Sequence, residues 1–191
     1  MTPFETRLPR VGESLEAWIA AFQAASVELK TDFRALNSKE EALACLLSIR
    51  DAEGWKKIAS HSGSLTRPAA DALRLPVVWT DGGYEVDSLE SCDAGLTECD
   101  ALVAQTGGIV VTSKTGGGRA LSVLPPHHVV LASKSQLVRD LPSALALIKE
   151  RHAPNFPSMI SFITGPSRTG DIERILVLGA HGPKKLTVLI W

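Results

Sequence analysis

Residues 55–80, WKKIASHSGSLTRPAADALRLPVVWT, alternate between strand-like and helix-like patterns. Residues 55–60 predict a strand, and residues 68–73 predict a short helix with Pro68 near its first turn. Residues 76–80 predict a second strand, which the turn signal Asp81-Gly82-Gly83 closes. Strands that interleave with helices are typical of an α/β fold with a mostly parallel sheet. We therefore expect a layered α/β sandwich.

The same alternation continues towards the C-terminus. Strands predicted at residues 102–106 and 109–112 flank Gly107-Gly108, which is typical of a hairpin and adds some antiparallel pairing. The remaining predictions are strands at 121–124, 129–132, 160–164 and 186–191, a helix at 141–151, and a helix at 172–178 that Gly179 would end.

The first fifty residues predict two helices. Ser14 is suited to cap a helix that runs to about Lys30, and Ser38 with Glu41 forms a capping-box pattern for a helix through about Asp51. We expect residues 1–53 to form a helical N-terminal segment that packs on an α/β core of residues 54–191. Both belong to a single domain, because no linker or composition break divides the chain.

The composition is that of a soluble globular domain. The chain has 191 residues, of which 45% are hydrophobic and 21% charged, and 20 Lys+Arg against 21 Asp+Glu give a net charge of −1. These values disfavour disorder and coiled coil, and they do not suggest a nucleic-acid partner. No segment reaches the roughly 20 apolar residues of a membrane span. The N-terminus lacks a signal-peptide pattern, so we predict a cytoplasmic protein.

Three cysteines, Cys45, Cys92 and Cys99, do not make a disulfide framework. Cys92 and Cys99 are more widely spaced than the paired cysteines of zinc and iron–sulfur motifs, and the histidine spacings match no zinc signature. The sequence therefore predicts that this chain by itself holds no metal and no iron–sulfur cluster.

The main candidate ligand loop is Gly165-Pro166-Ser167-Arg168-Thr169-Gly170-Asp171-Ile172-Glu173. It follows a predicted strand and opens a predicted helix, where free N–H groups favour a bound anion. Ser167 and Thr169 supply hydroxyls, and Arg168 supplies a cation with a planar fork. The alternative is an ordinary helix cap, in which Ser167 or Thr169 satisfies helix donors and Arg168 pairs with Asp171 or Glu173.

Other polar residues near predicted strand ends are secondary candidates. His128 stands at the entry to a strand and His181 lies in Gly179-Ala180-His181-Gly182-Pro183, and a structural hydrogen bond is the alternative role for each. His61 follows a predicted strand and could also face a cleft. The acids near strand ends, Glu98 and Asp100 among them, cannot be paired from sequence alone, so catalytic residues stay unassigned.

The glycine run Gly116-Gly117-Gly118 is not a P-loop, because Lys114-Thr115 precedes it and thereby reverses the order of that motif. A flexible hairpin tip is favoured over a phosphate cradle.

Four blocks of the sequence resemble one family. They are Asp100-Ala101-Leu102-Val103-Ala104-Gln105-Thr106-Gly107-Gly108, residues 121–126 with His128, the loop from Gly165 to Glu173, and Leu178-Gly179-Ala180-His181-Gly182-Pro183. In this order they resemble the LUD-domain proteins and, more narrowly, the lactate-utilization protein C branch. The resemblance extends from Gly95 to the C-terminus and is loose before it.

The resemblance implies a NagB/RpiA/CoA-transferase-like fold, related to formyltetrahydrofolate cyclo-ligases. It also implies a non-redox subunit or accessory protein of bacterial L-lactate oxidation to pyruvate, in which partner subunits carry the iron–sulfur clusters. The positions that it makes ligand-binding candidates are Thr106, Gly107, Gly108, His128, Gly165, Ser167, Arg168, Thr169, Asp171, Glu173 and His181.

Two alternatives remain beside this hypothesis. One is a stand-alone enzyme or binding protein for a small anion such as a nucleotide, a CoA ester, a folate or a carboxylate. The other is a structural or regulatory α/β domain whose cleft is vestigial.

Overall fold

A six-stranded, all-parallel sheet is the centre of the computed structural model, which describes residues 9–169, 177–178 and 181–191. Side by side, its strands are β1 (Asp32–Ala35), β12 (Lys185–Ile190), β7 (His127–Ala132), β4 (Ala94–Thr97), β2 (Ile58–Ser60) and β3 (Val77–Trp79). The five strands from β3 to β12 have the strand order of a doubly wound fold. The direction in which the chain adds strands to the sheet reverses between β2 and β4. The predicted α/β class with a mostly parallel sheet is confirmed.

A smaller mixed sheet packs against the parallel one. Its strands lie in the order β8 (Leu137–Val138), β5 (Ala101–Val103), β6 (Gly108–Thr112) and β9 (Ile160–Ile163). Strands β5 and β6 pair antiparallel, which confirms the hairpin predicted around Gly107-Gly108. A two-stranded ribbon of β10 (Arg168–Thr169) and β11 (Val177–Leu178) follows β9.

Five α-helices are described, and the caps of the first two follow the predicted signals. In α1, the Ser14 hydroxyl accepts a hydrogen bond from the Ala17 N–H, and in α2 the Ser38 hydroxyl accepts one from the Glu41 N–H. Each bond satisfies a backbone donor that the first turn of a helix leaves free. The helices are α1 (Leu15–Leu29), α2 (Lys39–Glu53), α3 (Thr66–Leu73), α4 (Val86–Glu90) and α5 (Leu141–His152).

The central strands supply two cores, because successive residues of a strand point to opposite faces of the sheet. On one face, α2 and α3 cover Val129 and Leu131 of β7, forming what we call the α2-side core. On the other, α1 and the mixed sheet cover Val130 and Ala132, forming the α1-side core. Helix α5 buries the outer face of the mixed sheet.

Two sequence predictions about strands are wrong. Residues 32–35 were expected in a helical segment, but they form β1, which pairs with β12 at the edge of the parallel sheet. Phe33 is the only buried residue of this strand, so the strand carries too little apolar pattern to be recognised. Residues 121–124 were expected as a strand and form a turn instead, in which Leu121 is buried against Ala59 and Leu89.

The helix predicted at residues 172–178 is wrong at its end, because Val177–Leu178 form strand β11. The rest of that prediction lies outside the described residues. The division of the chain at residue 53 stays a prediction.

Candidate functional site

Gly165, Ser167, Arg168 and His181 line a single cavity of about 290 Å³, although they come from two separate blocks of the sequence. We call it the loop cavity. Its remaining wall is rich in hydroxyl groups and small residues and consists of Ser122, Val123, Ser161, Ile163, Thr164, Gly182 and Pro183.

Backbone contacts hold the two blocks together. The Ser167 N–H donates to the Pro183 carbonyl at 2.8 Å, and the His181 N–H donates to the Ser167 hydroxyl at 3.4 Å. A Cβ atom at Gly182 would stand 3.4 Å from the Ser167 Cβ, so the segments lie in van der Waals contact. The resemblance makes Ser167 and His181 ligand-binding candidates, and the structure places the two in contact, while their binding of a ligand stays a prediction.

The position of Arg168 is set by the C-terminus of α1. Its guanidinium donates to the carbonyl of Leu29, the last residue of that helix. Such carbonyls have no partner within the helix, and a cation near them complements the helix dipole. Gly165 has φ +103°, and a Cβ there would stand 2.6 Å from the same carbonyl, so a side chain at this position would collide with α1.

Arg168 and Thr169 form the short strand β10. The start of the helix predicted at residues 172–178, with the N–H groups expected to favour an anion, lies outside the described residues. Asp171 and Glu173 lie outside the described residues, and their predicted contacts, including a pair with Arg168, stay predictions.

Thr106 and Gly107 lie in the β5–β6 turn and Gly108 begins β6, and none of the three lines the loop cavity. The Thr106 hydroxyl accepts a hydrogen bond from the Gly108 N–H at 3.3 Å. Gly107 has φ +66°, and a Cβ there would stand 2.9 Å from the Ala25 Cβ of α1. The turn thus has a packing function against α1, and its contact with a ligand stays a prediction.

His128 lies inside the sheet, 1% exposed, rather than on the wall of the loop cavity. Its Nε2 shares a hydrogen bond of 2.8 Å with the Thr97 hydroxyl. Burial lowers its pKa to about 3, which keeps the imidazole neutral. The preceding residue, His127, faces the opposite side of the sheet, where its Nε2 shares a 2.9 Å hydrogen bond with Thr187.

His127 lines a larger cavity of about 510 Å³ at the amino ends of β1, β7 and β12, which we call the amino-edge cleft. Pro166 and Arg168 line it as well, so the loop that carries Arg168 separates the two cavities. Sequence reasoning missed this cleft. Its other lining residues are Lys30, Asp32, Arg34, Ile49, Ala52, Glu53, Lys184, Lys185, Leu186 and Thr187.

At the carboxyl ends of β2 and β4, where doubly wound sheets usually bind ligands, Glu98 and His61 form hydrogen bonds within the chain. The Glu98 carboxylate accepts hydrogen bonds from the N–H groups of Leu65, at 2.7 Å, and Thr66, at 3.3 Å. His61 Nε2 accepts from the Glu98 N–H at 3.3 Å, and burial lowers the pKa of His61. A Cβ at Gly117 would stand 2.7 Å from the His61 Cβ, so the glycine turn closes over the histidine.

Asp100 is fully buried and connects three elements. Its carboxylate accepts hydrogen bonds from the Thr112 N–H, at 3.2 Å, and from the Thr115 hydroxyl. It also pairs with His152 Nε2 at 3.1 Å, while Arg151 donates to its backbone carbonyl at 2.9 Å. The carboxylate therefore fastens the segment after β6 to the end of α5, a structural role for an acid that the sequence offered as an acid–base candidate.

Among the residues that the structure describes, no three His, Cys, Asp or Glu side chains are grouped so that they could hold a metal ion. Within the same residues, no helix has the length and apolar character needed to cross a bilayer.

Comparison with known proteins identifies the family of the chain and a solved structure that shares its fold. The sequence model of the LUD domain matches residues 86–191. Lactate utilization protein C of Anoxybacillus flavithermus is 39% identical over 115 residues, which are 59% of this chain and 51% of that protein. Its namesake in a Geobacillus strain is 39% identical over 111 residues, 57% of this chain and 46% of that protein. The chain thus spans about half the length of these two relatives.

Lactate utilization protein C of Shouchella clausii matches over a longer range, with 31% identity over 189 residues, 93% of this chain and 80% of that protein. Among solved structures, a DUF162 family protein from Deinococcus radiodurans superposes with a TM-score of 0.71 at 19% identity. The superposition covers 94% of this chain and 99% of the other. At this identity the match establishes the shared fold.

Proposed function

The chain belongs to the LUD-domain family, and we propose on this ground that it acts in bacterial lactate utilization as a non-redox component that binds a small carboxylate anion in the loop cavity. The observation that carries the proposal is the loop cavity itself. Gly165, Ser167, Arg168 and His181 meet there, from sequence blocks that resemble the family.

The chemistry of the cavity suits a small carboxylate with a neighbouring hydroxyl or keto oxygen. A guanidinium has five N–H donors, so Arg168 can donate to a carboxylate while it donates to Leu29. Ser161, Thr164 and Ser167 add hydroxyls on the same wall. A volume of about 290 Å³ is at the small end of the range for organic ligands.

The cysteines support a non-redox role. Burial raises the pKa of the Cys99 thiol far above its usual range and raises that of Cys92 as well. The thiolate is the form that binds iron, so both positions disfavour cluster ligation. We therefore propose that iron–sulfur clusters of the pathway belong to other polypeptides, which are the expected partners.

We also propose kinship with the NagB/RpiA/CoA-transferase group. A parallel sheet that is covered on both faces supports it.

The ligand proposal is tested by thermal unfolding with L-lactate and with pyruvate. At 100 times its Kd, a ligand should stabilise the wild type by about 2.7 kcal/mol. Arg168→Gln and Ser167→Ala should each lose most of this stabilisation, whereas Arg139→Gln, which removes an exposed guanidinium elsewhere, should retain it. An equal ligand effect in the wild type and both loop variants, or none in the wild type, contradicts the proposal.

The pathway role has its own test. Deletion of the gene should impair growth on L-lactate, and the tagged protein should co-purify with iron–sulfur subunits. Normal growth of the deletion strain on L-lactate contradicts the role.

A further inference from the structure

The amino-edge cleft carries more positive than negative charge. Five cations and two carboxylates line it. Arg34 pairs with Asp32 at 2.9 Å and Lys185 pairs with Glu53 at 2.7 Å, so each carboxylate is already matched by one cation. No carboxylate among the described residues forms an ion pair with the other three cations, which are Lys30, Lys184 and Arg168.

The helix ends at the cleft do not cancel this charge. Lys30 caps the C-terminus of α1, and Glu53 is the last residue of α2, so two helix C-termini lie beside the cleft. Each carries about half a negative charge, which together amounts to about one charge. The three cations that have no carboxylate partner among the described residues exceed that amount, and a concave surface concentrates the resulting positive potential.

We call the apolar part of the lining the floor of the cleft. It consists of Ile49 and Ala52 of α2 and Leu186 of β12, of which Ile49 (7% exposed) and Leu186 (3% exposed) present only a small surface. The His127 ring, edge-on to Trp55 at 5.2 Å between centroids, adds an aromatic surface that burial keeps neutral at physiological pH. An inorganic anion would contact the basic rim and leave this floor unused, whereas an organic group attached to the anion would cover it.

We propose that the amino-edge cleft binds an organic phosphate of about mononucleotide size, with its phosphate against Lys30 and Lys184 and its organic part against Ile49, Ala52 and Leu186. The volume of about 510 Å³ lies within the usual range for such ligands. The two cavities share Arg168 on their walls, but the phosphate site uses Lys30 and Lys184 and does not depend on the lactate-utilization role.

Isothermal titration with AMP, adenosine and inorganic phosphate tests the proposal. AMP should bind at least about tenfold more tightly than either fragment, because only AMP engages both rim and floor. The AMP affinity should fall as salt rises, since the rim contacts are exposed and electrostatic. Equal affinity for AMP and phosphate would show that the cleft binds only the anion, and it would overturn the proposal that the apolar floor binds the organic group.

Paired variants locate the site. Lys30→Gln with Lys184→Gln should weaken AMP binding at least about tenfold. Lys39→Gln with Lys149→Gln removes the same charge from exposed lysines that do not line the cleft, and AMP affinity should stay within about twofold. Equal weakening in both double variants, or no AMP binding to the wild type, overturns the proposal.

AMP binding to the amino-edge cleft can be distinguished from carboxylate binding to the loop cavity. The Lys30/Lys184 variant should keep the thermal stabilisation by lactate or pyruvate, and Ser167→Ala should keep AMP binding. Each site can therefore fail while the other stands.

Discussion

The adjacent residues His127 and His128 show how one strand places the same side chain in two environments. His127 reaches the amino-edge cleft, whereas His128 is enclosed between the parallel sheet and the α1-side core. Each Nε2 has a threonine partner, but the buried Nδ1 of each has none among the described residues. Burial disfavours the charged form of each ring and lowers both pKa values, although Glu53 and Asp32 oppose the shift of the His127 pKa.

This burial makes stability depend on pH. The folded-state pKa of His128 is about 3, below the reference value of 6.5, so between these values the unfolded chain binds a proton that the folded chain does not. The free energy of unfolding should therefore be constant above about pH 6.5 and fall as the pH decreases towards 3, by about 1.4 kcal/mol per pH unit from this residue.

Urea unfolding of the wild type and His128→Gln between pH 7.5 and 4.5 measures the effect. The glutamine can keep a hydrogen bond to Thr97 but cannot titrate, so the variant should show a shallower loss of stability below pH 6.5. Identical pH slopes in the two proteins would mean that His128 is protonated in the folded state.

At the scale of elements, the end of α1 is a meeting point for segments far apart in the sequence. The Gly107 turn packs against Ala25 and Leu29, and Gly165 and Arg168 contact the Leu29 carbonyl. The glycines keep the backbone close to the helix, so the turn and the ligand loop share one support. A substitution in the turn that moves the end of α1 should therefore also alter the geometry of the loop cavity.

Gly107→Ala should destabilise the protein by about 2–4 kcal/mol, because the new Cβ adds a collision with α1 to the cost of a left-handed backbone. Gly54→Ala separates the two effects, since Gly54 has a similar φ of +68° with nothing within 4 Å of its Cβ position. That control should cost only about 1–2 kcal/mol. Equal losses in urea unfolding would show that contact with α1 is unimportant.

The elements recognised from the sequence are those with local signals. Ser14, Ser38 and Pro142 mark helix starts that the structure confirms, because a cap is decided within four residues of chain. Strand β1 was missed because Phe33 alone is buried, and the Leu121 turn was mistaken for a strand because tertiary packing buries it. The signals that failed are those in which distant contacts decide burial.

At the scale of the whole molecule, the two cores cannot unfold independently of each other. Val129 and Leu131 belong to the α2-side core and Val130 and Ala132 to the α1-side core, yet all four lie on the same strand. Losing β7 would expose both faces at once. Residues 1–53 contribute to both cores through Phe22 and Leu46, so the N-terminal segment and the rest of the chain should unfold together.

Tryptophan fluorescence can follow each core separately. Trp18 packs on the α1-side core, whereas Trp55, Trp79 and Trp191 belong to or pack on the α2-side core. In Trp18→Phe, and in the triple variant that keeps only Trp18, the urea transition by fluorescence should coincide with that by far-UV circular dichroism. Two separated transitions in either variant would contradict a single cooperative unit.

The candidate site was only partly accessible from sequence. Ser167, Arg168 and His181 were named because their residue types and blocks resemble a family, and the structure places them on one cavity. The amino-edge cleft had no such signal. Its lysines come from a helix cap and from the start of β12, and only the strand order brings them together.

The place of β12 has a consequence for synthesis of the protein. β12 lies between β1 and β7, and Asp32 of β1 pairs with Thr187, about 155 residues later in the chain. At roughly 5–20 residues per second, a ribosome releases β1 roughly 8–30 s before its partner. During that interval β1 has no strand to pair with, and β7, which precedes its β12 partner by about 58 residues, lacks this neighbour for the last part of it. The nascent chain therefore offers chaperones unpaired strand edges that the finished protein conceals.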